Sequence, residues 1–182
     1  MNLPKNAKRV YKGYIYEIWQ WEQEMFDGTT ATFETVKRSD TVMVIAVVGD
    51  KIISVYEEQP DHVREFGLLG GRVNDGEEPL DAAKRELMEE SGLVSENMEH
   101  YKTYTPFHRI IWSMHVFIAR DCRKAGEPKL ESGERITLRE MSFEEFVESL
   151  SLQQWGELTN DILRMKAEGT LPEFRKKLFG NT

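Results

Sequence analysis

Three glutamates, Glu86, Glu89 and Glu90, fall within the stretch PLDAAKRELMEESGL. Pro79 suits the first position of a helix and Gly92 its C-cap, so the sequence predicts a helix over residues 80–91. At the helical period the three carboxylates share an arc of ~100°, while Leu80, Ala83 and Leu87 share an apolar stripe. Glu86 and Glu90 are like charges four residues apart, which costs an isolated helix ~0.2–0.5 kcal/mol. Two arrangements would offset that. A hard divalent cation, Mg2+ or Mn2+, would take carboxylate oxygens together with waters and substrate phosphates. Alternatively, the three side chains lie on a solvated face beside Lys84 and Arg85.

Residues 14–21 and 29–36 are rich in aromatic and β-branched residues and flank Asp27-Gly28, which predicts a hairpin. Residues 42–48 form a continuous apolar run, as expected of a strand buried on both faces, and Gly49-Asp50 turns it into a second strand over 52–56. A loop with Pro60 is expected over 57–64, then the glycine-rich stretch FGLLGGRVNDGEEP. Residues 110–119 read as one strand, 125–133 as a polar loop and 135–138 as a short strand. Ser142 and Glu145 have capping-box spacing for a helix to about residue 150. A further helix over 157–167 would end at Gly169, and the basic tail FRKKLFGNT is expected to fray. Strands mixed with helices give an α/β or α+β class.

The chain has 182 residues, 24 basic against 32 acidic, for a net charge of −8. That length fits one domain able to bury a core. The acidic total speaks against general nucleic-acid binding. No apolar run approaches the ~20 residues of a spanning helix, and the N-terminus lacks a secretory pattern. The single cysteine, Cys122, allows no intrachain disulfide and fits a reducing compartment, so a cytoplasmic location without membrane attachment is expected. Cys122 lacks a triad context, and His108 and His115 read as hydrogen-bonded structural residues. An acidic protein that handles an anion needs local arginines, a helix N-terminus or a metal.

From Gly71 the residues run Gly-x5-Glu-x7-Arg-Glu-apolar-x-Glu-Glu-x-Gly-apolar, ending at Leu93. This pattern resembles the complete signature of the Nudix hydrolase family. The resemblance implies an α/β/α sandwich around a mixed β-sheet, here with an N-terminal antiparallel β-hairpin extension. It suggests a single domain over 1–182, with the hairpin at 1–40 and the core at 41–182. It also implies Mg2+-dependent cleavage (Mn2+ as substitute) of a nucleoside diphosphate linked to another group. Carried onto this chain, the metal-binding residues are Glu86, Glu89 and Glu90, with Glu77 and the Gly70 backbone as further contributors. Arg85 would orient the glutamates by ion pairing, and Gly70 and Gly71 would let the backbone approach the metal or phosphates.

The hairpin, the strand after it and the segment beyond the motif resemble the ADP-ribose (ADP-sugar) pyrophosphatase branch. That branch implies a homodimer joined through the N-terminal strands, which supply an aromatic residue to stack on the base: Tyr14, Tyr16, Trp19 or Phe33. It also implies a substrate contact at Arg38 and a general base on a loop after the motif, Glu134, with Glu131 in reserve. The sequence departs from the branch at Gly67 and Leu69, where a Glu and a Pro are usual, and at Asp61, where an Arg is usual; Arg64 would substitute for that Arg. Pro106 falls slightly early. Other substrates compatible with the motif are nucleoside triphosphates, NADH and dinucleoside polyphosphates. A non-catalytic nucleotide sensor is the remaining alternative, disfavoured because such a protein has no reason to keep three mutually repelling glutamates.

Overall fold

A computed structural model describes residues 3–130, 132–153 and 156–180, so the reserve base Glu131 lies outside the described residues. In chain order the elements are β1 (Lys8–Lys12), β2 (Tyr16–Glu24), β3 (Thr30–Arg38), β4 (Thr41–Val48), β5 (Lys51–Gln59), β6 (His62–Gly67), α1 (Pro79–Ser91), β7 (Leu93–Val94), β8 (Asn97–Tyr104), β9 (Ile110–Ile111), β10 (Met114–Arg120), β11 (Arg123–Lys124), β12 (Arg135–Met141), α2 (Phe143–Leu152), α3 (Glu157–Glu168) and α4 (Leu171–Phe179). No helix among them is long and apolar enough to cross a membrane.

The central sheet has strand order β12-β5-β4-β10-β8, with β6 paired to β5. It is mixed: β4 and β10 run parallel and their other pairings are antiparallel. Side chains alternate across a strand, and here the alternation divides the core in two. Val42, Val44 and Ala46 of β4 join Ile53, Val55, Phe117 and Ala119 on one face, where Ala82, Ala83 and Leu87 of α1 cover them. Ile45, Val47, Ile52, Val116 and Ile118 point to the other face, under Phe146 and Leu150 of α2, Ile162 of α3 and Phe174 and Leu178 of α4. The molecule is therefore an α/β/α sandwich around a mixed sheet. A second sheet, β1-β2-β3-β9, is antiparallel apart from the short parallel β3–β9 pair and forms the N-terminal extension.

Several local expectations change. Residues 57–64 are not a loop: β5 runs on to Gln59 and returns as β6, and the register sets Glu57 opposite Arg64, whose side chains form an ion pair. The run 110–119 splits into β9 and β10, where the Ser113 N–H donates to Asp40 Oδ1 at 2.7 Å and bends the chain from one sheet to the other. Leu80 is 37% exposed, so the buried face of α1 is carried by Ala82, Ala83 and Leu87. The tail does not fray over 171–179; α4 buries Phe174 and Leu178, four residues apart. The capping box at Ser142 and Glu145 forms with both reciprocal bonds.

Candidate active site

Helix α1 starts at Pro79 and stops at Gly92, which adopts φ 68° and donates its N–H to the Met88 carbonyl. Between β6 and α1 the chain is pinned against β4: the Val44 N–H donates to Leu69 O at 2.8 Å and the Val42 N–H to Gly71 O at 2.9 Å. Only glycine fits at 70. Its φ is +147°, and a Cβ there would lie 2.1 Å from the Val42 carbonyl oxygen. A Cβ on Gly71 would lie 2.5 Å from Glu86 Oε1, so that carboxylate rests directly on the backbone. The Gly70 N–H donates to Glu90 Oε2 at 2.7 Å. Gly70 thus holds Glu90 through its N–H, and Gly71 leaves the space that Glu86 occupies against the backbone.

Arg85 organises the rest. Its Nε and Nη2 hold both oxygens of Glu77, at 2.8 and 3.0 Å. Its Nη1 donates to Glu86 Oε1 at 2.7 Å and to Glu89 Oε2 at 2.9 Å, and its Nη2 also reaches the Arg72 carbonyl at 2.9 Å. The four-residue spacing of Arg85 and Glu89 that the sequence suggested for an ion pair is occupied by one.

A cavity of about 480 Å³ opens in front of these groups. Glu86, Glu89, Glu90, Arg85, Gly70, Gly71, Arg38 and Glu134 all border it. Glu90 is 7% exposed. Burial pushes its carboxyl up to about 8; the Gly70 N–H and Arg64 oppose the rise, while the charges of Glu86 and Glu134 add to it. Glu86 is also raised, first by burial, then by Glu89 and Glu134 against the pull of Arg85. A buried carboxyl and a half-buried one beside it, both raised, make a site in want of positive charge.

That chemistry fits a hard divalent cation. Among the described residues, no three His, Cys, Asp or Glu side chains close into a ready-made cage. Mg2+ does not need one, since it usually takes one or two carboxylates and keeps water and phosphate oxygens for its other positions. Glu86, Glu89 and Glu90 are the residues that would hold it. Glu77 is instead occupied by Arg85 and the Asn74 N–H, and it does not border the cavity.

The other sequence candidates divide. Arg38 borders the cavity with its guanidinium 5.0 Å from the Trp112 ring and 5.8 Å from the Tyr16 ring. Tyr14, 88% exposed, also borders it. Trp19 and Phe33 do not. Trp19 donates to Glu17 Oε2 at 2.9 Å, and Phe33 packs beside Trp21 and under Arg109. Arg64 does not line the cavity either, although its charge reaches Glu90; it pairs with Glu57, and a side chain on Gly67 would meet its Nε at 2.6 Å. The departure at Gly67 therefore makes room for Arg64.

Sequence reasoning missed Ile15, Gln59, Arg72, Asn74, Lys129 and Leu130 on the cavity wall. Arg72 and Asn74 sit inside the motif at positions the pattern leaves free, and Lys129 sits in a loop whose only fold signal is polarity. The Lys129 N–H donates to the Glu89 carbonyl at 2.7 Å, which ties that loop to α1.

The NUDIX domain profile matches residues 37–160. The chain is 27% identical over 142 residues to "ADP-ribose pyrophosphatase" of Bacillus subtilis (strain 168), covering 76% of this chain and 77% of that protein. It is 26% identical over 145 residues to "Methanol dehydrogenase activator" of Bacillus methanolicus, again covering 76% and 77%. A crystal structure of an ADP compounds hydrolase superposes with a TM-score of 0.71 at 20% identity, over 91% of this chain and 95% of that one. That last likeness speaks for the fold, while the profile spans most of the chain, including the glycine pair, Arg85 and all three glutamates of α1: the chain belongs to the Nudix family of hydrolases.

Proposed function

We propose that this Nudix hydrolase cleaves the pyrophosphate bond of ADP-ribose or a related nucleoside diphosphate sugar, giving a nucleoside monophosphate and a sugar phosphate. The carrying observation is buried Glu90 with half-buried Glu86, mutually repelling and facing a cavity that Arg38 also borders. The relative named for ADP-ribose supports the choice of substrate.

In this reading Glu86, Glu89 and Glu90 hold Mg2+, or Mn2+ in its place. The ion, when bound, neutralises the diphosphate and acidifies an attacking water. Arg85 keeps Glu86 and Glu89 aimed, and Gly70 fixes Glu90 through its N–H. Arg38 pairs with a phosphate oxygen, and Tyr14 offers the ring nearest the cavity for stacking. Glu134, on the loop before β12, accepts the proton of the attacking water. The whole chain would act as one domain and pair as a homodimer through the N-terminal sheet, where Val10, Tyr11, Ile15 and Tyr16 are exposed. The single, buried Cys122 suits a reducing compartment such as the cytoplasm.

The test is a substrate panel with Mg2+ and with EDTA: ADP-ribose, other ADP- and GDP-sugars, NADH, dinucleoside polyphosphates and nucleoside triphosphates. The proposal expects Mg2+-dependent release of AMP from ADP-ribose at the highest kcat/KM. A higher value for a triphosphate overturns the sugar assignment.

A further inference from the structure

A second cavity, of about 390 Å³, adjoins the first and shares Tyr14, Ile15, Arg38, Arg72 and Asn74 with it. Its charge is opposite to that of the chain. Lys12, Lys37, Arg38 and Arg72 border it against Glu17 and Asp75, in a protein of net charge −8. The register sets Glu17 between Lys12 of β1 and Lys37 of β3. Its oxygens accept from Arg9 Nη1 at 2.7 Å and Trp19 Nε1 at 2.9 Å, and Glu17 also feels the charge of Lys37. The two arginines are held by rings instead of carboxylates: Arg72 lies 5.3 Å from the Tyr14 ring, and Arg38 lies between Tyr16 and Trp112. Among the described residues Arg38 Nε is buried without a hydrogen-bond partner. A guanidinium seated on aromatic faces keeps its in-plane donors for a bidentate anion. A neutral ribose or base would leave four cations facing only two carboxylates, an excess of positive charge that an anion would balance.

We propose that the second cavity receives an additional phosphate carried by the substrate itself, so that the preferred substrate is a nucleoside diphosphate compound phosphorylated on one of its sugars. This rests on the pyrophosphatase reading of the first cavity, where the diphosphate sits. The extra phosphate then reaches past Arg38 and Arg72 to Lys12 and Lys37. The attraction acts across partly open solvent, so it weakens as ionic strength rises toward ~0.5 M.

The test compares three compounds on the full chain: ADP-ribose, its 2′-phosphate and its 1″-phosphate, which place the extra charge at opposite ends. Calorimetry in EDTA reads binding, and turnover with Mg2+ reads kcat/KM. One phosphorylated compound is expected to bind, and to be turned over, at least tenfold better than ADP-ribose. In the double variant Lys12→Ala/Lys37→Ala that ratio falls toward one, and since both residues are exposed the variant's fold is not at stake. Equal or weaker binding of both phosphorylated compounds overturns the inference, as does a ratio untouched by the double variant. Turnover of ADP-ribose without any such preference leaves the pyrophosphatase reading standing and removes this one. Tenfold tighter binding without turnover of any of the three supports the cavity assignment and removes the pyrophosphatase reading.

Discussion

Replacing Glu90 by Gln should stabilise the metal-free protein while disabling it. The amide keeps a carbonyl oxygen for the Gly70 N–H, which now lies 2.7 Å from Oε2, but it removes a buried charge beside Glu86. The folded state raises the Glu90 carboxyl from an ordinary 4.5 to about 8. A raised carboxyl leaves stability intact below its unfolded pKa and erodes it as pH climbs from there to the folded value. At ~1.4 kcal/mol per pH unit, ionising this group costs on the order of 3–5 kcal/mol by pH 8. Urea denaturation in EDTA measures the effect directly. Wild type should lose stability between pH 5 and about pH 8, whereas Glu90→Gln should show most of that loss removed, with a gain over wild type of ~2–4 kcal/mol at the upper end. Added Mg2+ should close the gap by stabilising wild type more than the variant. If the variant is less stable than wild type at pH 8 in EDTA, the picture of a strained acidic pair awaiting a cation is wrong.

Other expectations follow from single contacts. Asp161 accepts from Lys102 Nζ and Tyr104 Oη, both at 2.6 Å, and from Arg164. Burial works to raise this carboxyl, but Lys102 and Tyr104 outweigh it and hold the pKa below the usual range. Asp161→Asn should therefore cost ~1–3 kcal/mol at pH 7, and the difference from wild type should fade as acid titrates the group below its ordinary range, read by thermal melts. Gly70→Ala brings a Cβ to 2.1 Å from Val42 O at φ +147°; a loss of at least ~2 kcal/mol in chemical denaturation is expected. Glu134→Gln should lower kcat ~10²–10⁴-fold with little change in Mn2+ affinity by paramagnetic resonance, because it removes a proton acceptor and spares the α1 carboxylates.

The legible parts of the molecule were those whose side chains carry their own instruction. Pro79, Gly92 and the glutamate spacing determine α1 and its carboxylate face within thirteen residues. Ser142 and Glu145 announce α2, and the apolar run of β4 announces the centre of the sheet because both faces are covered. Elements held by distant partners were not legible. All five residues of β1 are exposed, so no burial pattern marks it. The edge strand β8, NMEHYKTY, buries only Tyr104. Strand β6 depends on Glu57 finding Arg64 around Pro60. The basic tail hid α4, since two buried residues among lysines and arginines give a faint signal. In the site, the α1 wall was local and readable. The facing wall comes from residues 14–15, 38, 59, 129–130 and 134, which only the fold brings together. Trp19 and Phe33 looked as suitable for stacking as Tyr14, but strand register turns them away from the cavity.

If the enzyme works as proposed, the inner glutamates of α1 bind a divalent ion that grips a diphosphate. Titrating Mn2+ into the protein with a non-hydrolysable methylene analogue of ADP, followed by electron paramagnetic resonance, tests this without relying on turnover. Saturable binding by wild type, tightened by the analogue and weakened at least tenfold in Glu86→Gln/Glu90→Gln, is the predicted result. Equal Mn2+ affinity in the two proteins, with or without the analogue, would contradict it.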